Sequence, residues 1–198
     1  MKKFISALAV VVALSGTAHA QDFGRGLAAI DTGDYTAAIQ ELEPLAEQGD
    51  AAAQTLLGLL YRNGQGVPQD FTTAASWLRK ASDQDVAEAQ YELGLMYAGG
   101  RGVPENPMEA VVLYRKAAQQ GYAEAQNALG TIYYRGWGGV PKDIIISHMW
   151  NNVSSTNGND YSRQIRDLIQ QTMTPQAIEQ AQAMARECMS SNYQNCGY

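Results

Sequence analysis

The stretch that decides the fold is Ala87-Glu88-Ala89-Gln90-Tyr91-Glu92-Leu93-Gly94-Leu95-Met96-Tyr97-Ala98-Gly99-Gly100-Arg101-Gly102-Val103-Pro104. Ala89, Gln90, Leu93, Gly94 and Tyr97 fall within an arc of roughly 140° at about 100° per residue, the spacing of one helix face. Small residues on that arc let a neighbouring helix approach closely. The glycines that follow accept the left-handed conformation of a helix stop, and Pro104 cannot continue the helix. Asn106 then offers an N-cap, with Pro107 at the first helical position and Glu109 at the third, so a second helix begins.

The same pattern stands 36 residues earlier and 36 later. Ala52, Ala53, Gln54, Leu57, Gly58 and Tyr61 match Glu88, Ala89, Gln90, Leu93, Gly94 and Tyr97, and then Glu124, Ala125, Gln126, Leu129, Gly130 and Tyr133. Gly64 to Pro68 matches Gly100 to Pro104, and Gly136 to Pro141 repeats it with one residue inserted. In the second halves, Ala74, Trp77, Lys80 and Ala81 align with Ala110, Leu113, Lys116 and Ala117, and more loosely with Ser147, Trp150, Val153 and Ser154. Asp70, Asn106 and Asp143 are the N-caps expected for these second helices; Gly121 and Gly158 end them, with Asp85 in the same place one unit earlier. Upstream, Gly33-Asp34-Tyr35 leads into Ala38, Ile39, Leu42, Leu45 and Ala46, a further second-helix half whose partner is expected between Phe23 and Thr32. Helix pairs that bury only part of their apolar face must stack, so the repeat predicts an all-α solenoid.

The motif A-x-A-Q-x-x-L-G-x-x-Y-x-x-G-x-G-V, followed by Ala, Trp or Leu and K-A-A-x-Q-G, resembles the Sel-1-like repeat family, a subclass of tetratricopeptide-like helical repeats. The resemblance covers Tyr35 to about Gly158. It implies a right-handed superhelix of antiparallel helix pairs used as a scaffold or adaptor for protein contacts, often in bacterial envelopes, with no cofactor. Beyond it, Asp160 is expected to cap a helix carrying Ile165, Leu168 and Ile169. Thr174-Pro175 starts another with Ile178, Ala181 and Cys188 on one stripe. The tail from Ala185 to Cys196 resembles the C-terminal caps of exported family members. The expected organisation is a leader over 1–20, a tetratricopeptide-like pair over 21–50, repeats over 51–86, 87–122 and 123–159, and a helical cap over 160–198.

Lys2 and Lys3 precede an apolar run from Phe4 to Leu14, then Ser15-Gly16 and Ala18-His19-Ala20. This reads as a secretory leader cleaved after Ala20 at an A-x-A site, with Ala18 and Ala20 as the small residues. A run of about a dozen residues falls short of the roughly 20 needed to span a bilayer, so no integral membrane segment is expected after cleavage. The expected location is the bacterial periplasm or outside the cell. Cys188 and Cys196, the two cysteines, then read as a disulfide and not as a C-x-x-C redox pair. The chain carries a formal charge of −6, about −8 once Lys2 and Lys3 are removed. Net negative charge disfavours nucleic acid and anionic membranes, and a partner face that is neutral or basic is expected.

Few residues carry chemistry. The glycine-rich loops lack the phosphate-loop signature and are explained as turns. His148 has no Cys or second His at ligand spacing, so no metal and no catalytic role is assigned. No nucleophile constellation is present, and the chain reads as a non-enzyme. What varies between units lies opposite the framework arc: Thr55, Leu59 and Arg62, then Tyr91, Leu95 and Ala98, then Asn127, Thr131 and Tyr134. Arg62, Tyr91, Leu95, Thr131 and Tyr134 are the candidate groove residues for a protein or peptide in the envelope or outside the cell. The alternative is binding or hydrolysis of cell-wall material or β-lactams, suggested for a cysteine-rich branch of the family. That branch has a disulfide in each repeat, and these repeats contain no cysteine.

Overall fold

A computed structural model describes residues 22–196. The proposed leader and its cleavage site, Ala18 and Ala20, lie outside the described residues. Among those described there are ten helices and no strand. The chain divides into two compact units between Gln84 and Asp85. The first holds α1 (22–32), α2 (Tyr35–Glu47), α3 (Ala51–Asn63) and α4 (Phe71–Ser82). The second holds α5 (Ala87–Gly99), α6 (Pro107–Gln119), α7 (Ala123–Arg135), α8 (Ile144–Thr156), α9 (Asp160–Gln170) and α10 (Pro175–Ser190).

The helix starts follow from short polar side chains. Asp34, Asp50, Asp70, Asn106 and Asp143 cap α2, α3, α4, α6 and α8, each accepting from backbone N–H groups two or three residues on. Thr174 does the same for α10 ahead of Pro175. One expected cap is corrected. Asn159, not Asp160, caps α9, accepting from the Ser162 N–H at 2.9 Å. The chain leaves α8 through Gly158 at φ +97° and is extended by Asn159, one residue earlier than expected; Asp160 begins the helix and pairs with Arg163 at 2.8 Å.

The turn inside each repeat is closed by the same backbone bond. The carbonyls of Tyr61, Tyr97 and Tyr133 accept from the N–H groups of Asp70, Asn106 and Asp143, at 3.0, 2.9 and 2.8 Å. This return requires a left-handed residue just past the first helix, and Gly100 supplies it at φ +61°, as Gly64 and Gly136 do in their units. The framework glycine inside each first helix has a different job. A Cβ on Gly94 would stand 2.7 Å from the Tyr114 ring of α6, and one on Gly58 would stand 2.6 Å from Leu78 of α4. Gly130 meets Asn151 of α8 in the same way.

The framework glutamine is explained by buried hydrogen bonding. Gln54 donates to the Ala46 carbonyl at 2.9 Å and accepts from Gln84 at 2.8 Å. Gln126 donates to the Ala118 carbonyl at 3.1 Å and accepts from Asn157 at 2.8 Å. Gln90 accepts from Gln120 at 2.8 Å and donates to Asp85 at 3.2 Å. A buried amide needs partners for both its ends, and each repeat provides one from the last residues of the preceding helix or the turn after it and the other from just past the end of its own second helix.

In the second unit the core is built on Leu129, Met149, Trp150 and Val153, with Ala181, Ala185 and Cys188 of α10 packed into the same cluster. In the first unit Leu42, Leu45, Leu57 and Leu60 form the centre. Cys188 and Cys196 stand at disulfide distance, with Cα atoms 4.4 Å apart and both residues buried. Between them, Tyr193 at φ +64° lays its ring beside Gly121 and donates its hydroxyl to Asn157 Oδ1 at 2.9 Å. The tail therefore ends on the buried amide series. Replacing both cysteines with serine is expected to lower stability by about 2–3 kcal/mol, from the entropy of a loop this short. Denaturant titration of the double variant checks the loss, and thiol titration of the unfolded, unreduced protein should find no free thiol.

Candidate functional site

The variable positions of the first helices do not share one environment. Thr55, expected on the variable outward face, is instead buried and donates to the Ala51 carbonyl at 2.8 Å. Asn127, in the same register, donates to Asn151 at 3.2 Å and to Ser162 at 2.8 Å. Tyr91, between them in the series, packs its ring 5.8 Å from that of Tyr114 and 5.4 Å from that of Tyr122. Burial raises the Tyr114 and Tyr122 hydroxyls above the usual phenol range. Arg62 belongs to the first unit, half-buried, with its Nε donating to Asn63 at 3.1 Å. Leu95 is exposed on α5.

Thr131 and Tyr134 are brought together. They form one wall of a cleft of about 240 Å³ between α7 and α9, joined there by Arg135. The opposite wall is α9, through Tyr161, Ile165, Leu168 and Ile169, with Thr172 of the turn that follows it. Tyr134, Tyr161 and Leu168 are 46, 60 and 59% exposed, which places three large apolar side chains at the rim of one depression. Thr131 and Arg135 also line a second cavity of about 340 Å³, walled by Ala98 of α5, Tyr114 of α6, Ala128 and Ile132 of α7, and Trp137. Trp137 is half-buried and packs onto the second unit's core, beside the inserted loop residue.

Sequence reasoning missed Arg135 and the α9 wall. Arg135 stands where the earlier units have Asn63 and Gly99, so a cation appears at this register in one unit alone. The α9 residues carried a signal of a kind: Tyr161, Ile165, Leu168 and Ile169 follow the i, i+4, i+7, i+8 spacing of one helix face, and of these Tyr161 and Leu168 stay exposed.

His148 is fully buried on α8, with its Nε2 3.4 Å from Gln170 Oε1. Burial holds its pKa below the ordinary 6.5, against the bond to Gln170, with Arg166 adding to the lowering and Asp167 opposing it. A histidine whose folded pKa is depressed takes up its proton more readily when unfolded. Stability should therefore be full above pH 6.5 and fall as pH drops through and below that value. Thermal melts between pH 7.5 and 5 check this, and His148→Gln should flatten the slope. Among the described residues no group of three or more His, Cys, Asp or Glu is placed to hold a metal ion, and no helix is long and apolar enough to cross a membrane.

The Sel1 repeat family model matches residues 51–86, 87–122 and 123–150, three adjoining copies of the helix pair described above. The chain belongs to the Sel1 repeat family. Its all-α fold is that of solved Sel1 solenoids. A Sel1 repeat protein from Oxalobacter formigenes is 28% identical, with a TM-score of 0.69 over 85% of this chain and 76% of that one. A protective antigen present in uropathogenic Escherichia coli strains, displaying an SLR fold, is 38% identical, with a TM-score of 0.62 over 64% of this chain. This Sel1 chain spans 27% of that antigen's length. No curated protein matches the chain. Sel1 repeat proteins are in general protein-interaction scaffolds and typically non-catalytic, and a protein partner is the expectation the family sets for this one.

Proposed function

We propose that this Sel1 chain is an exported, non-catalytic scaffold that binds a protein or peptide in the bacterial envelope or outside the cell, with Thr131 and Tyr134 in the contact surface. The observation that carries the site is the α7–α9 cleft, where Tyr134, Tyr161 and Leu168 stay exposed at the mouth of an apolar depression. Aromatic and aliphatic anchors around a pocket are what concentrate binding energy in protein interfaces. Rigid helices position the walls, so little ordering cost falls on this side of the complex. The paired cysteines, which persist best in oxidising compartments, support export. Arg62, Tyr91 and Leu95 remain proposed contacts of the same kind, with Tyr91 also holding Tyr114 and Tyr122 in place.

The test is affinity capture from envelope extract by the wild-type protein and by a Tyr134→Ala, Leu168→Ala double variant. Both side chains are rim residues, so helicity should be unchanged. A stoichiometric protein partner retained by the wild type and lost by the variant is expected. Undiminished capture by the variant would remove the cleft from the interface. Retention on purified peptidoglycan without any protein partner would favour the cell-wall alternative.

A further inference from the structure

Arg135 differs from the ion-paired arginines of the chain. Arg25 is paired with Asp22 and Glu41, Arg163 with Asp160, and Arg166 with Asp167. Arg135, exposed at the last position of α7, forms no hydrogen bond or ion pair among the described residues. It is also the one charged residue lining either of the two cavities described above, and it lines both. The chain has 20 acidic and 14 basic residues, yet among the described residues no carboxylate lines either cavity beside it. A second cation, Lys142, stands 5.3 Å from the Tyr134 ring at the edge of the cleft.

We infer that the two cavities form one bipartite peptide site, which selects an internal Asp or Glu flanked on both sides by apolar residues. The inference rests on the scaffold reading and names its ligand class. A guanidinium offers a planar fork of donors that matches a carboxylate. Arg135 lines both cavities, so an acid bound to it has a hydrophobic anchor available in each. A peptide's terminal carboxylate at Arg135 would leave one cavity unfilled. Peptides with Lys or Arg at the central position would be rejected by like charge. The chain's overall acidity therefore gives way, at this spot, to local charge of the opposite sign.

The experiment uses the full-length protein and an array of acetylated, amidated nonapeptides of random composition, with a second set ending in a free carboxylate. The expected winners carry a central Glu or Asp between two apolar residues. Fluorescence anisotropy on the best such peptide should show a loss of roughly tenfold or more when its Glu becomes Gln, the scale of one charge-assisted hydrogen bond. Arg135→Gln, a change at an exposed helix end, should cause the same loss with the Glu peptide and little further loss with the Gln peptide. Peptides that bind without acidic preference, or equally well to Arg135→Gln, would overturn this inference and leave the scaffold reading standing. Tighter binding by the set ending in a free carboxylate would overturn the internal-acid assignment. An array with no bound peptide of any composition would overturn the peptide-binding reading, and this inference with it.

Discussion

Replacing Gly94 with glutamate is expected to lower the stability of the Asp85–Tyr198 unit by about 3–5 kcal/mol, combining overpacking with burial of an unpaired charge. The geometry leaves no room. A Cβ at this position stands 2.7 Å from one ring carbon of Tyr114 and 3.0 Å from the next, and Tyr114 is itself held between Tyr91 and the core. A ring locked this way cannot move aside as a flexible chain end could. Gly94→Ala separates the two costs. It gains helix propensity of about 1 kcal/mol while forcing the same first contact, so its net effect should be much smaller than that of glutamate. Urea denaturation followed by circular dichroism measures both variants. A neutral Gly94→Glu would contradict the close approach of α5 and α6.

Trp150→Ala is expected to cost about 3–5 kcal/mol, whereas Trp77→Ala, at the equivalent repeat position, should cost under about 2 kcal/mol. Trp150 is fully buried because α9 and α10 both pack on α8, adding Ala181, Ala185 and Cys188 to its surroundings. Trp77 is half-buried, with Lys80 Nζ 3.7 Å over its ring. A cation seated on an aromatic face is a surface arrangement of modest worth. Two tryptophans in one register thus measure what the cap helices contribute. Equal losses in the two variants, read from denaturation midpoints and slopes, would mean that α9 and α10 add little to the core.

How far the sequence could be read follows from what repeats. The framework positions recur three times, so chance is averaged out, and the helix pairs, the Gly-rich turns and the caps Asp70, Asn106 and Asp143 are all legible in the sequence. Gln54, Gln90 and Gln126 were visible as pattern but not as chemistry, because their partners Gln84, Gln120 and Asn157 lie 30 or 31 residues away. The start of α9 was misplaced by one residue because Asn159 and Asp160 are both good caps and only the backbone turn at Gly158 decides between them.

The site was less legible for a related reason. Helix geometry alone treats Thr55, Tyr91 and Asn127 as one outward register, yet α8 and α9 cover Asn127, and the Tyr114 and Tyr122 rings cover Tyr91. Coverage depends on neighbours that differ from unit to unit. The cleft at Thr131 and Tyr134 exists because α9, which lies outside the repeat, supplies its second wall. No internal comparison could have aligned that wall, since it occurs once.

The proposal that a protein partner sits in this cleft is tested most directly by placing a photo-crosslinking amino acid at Leu168, on the cleft rim, and in a separate protein at Gln176, exposed near the start of α10 and lining neither cavity. Irradiation in living cells followed by mass spectrometry should give a defined protein adduct from Leu168 and none from Gln176. Adducts of equal yield from both positions, or none from Leu168, would contradict it.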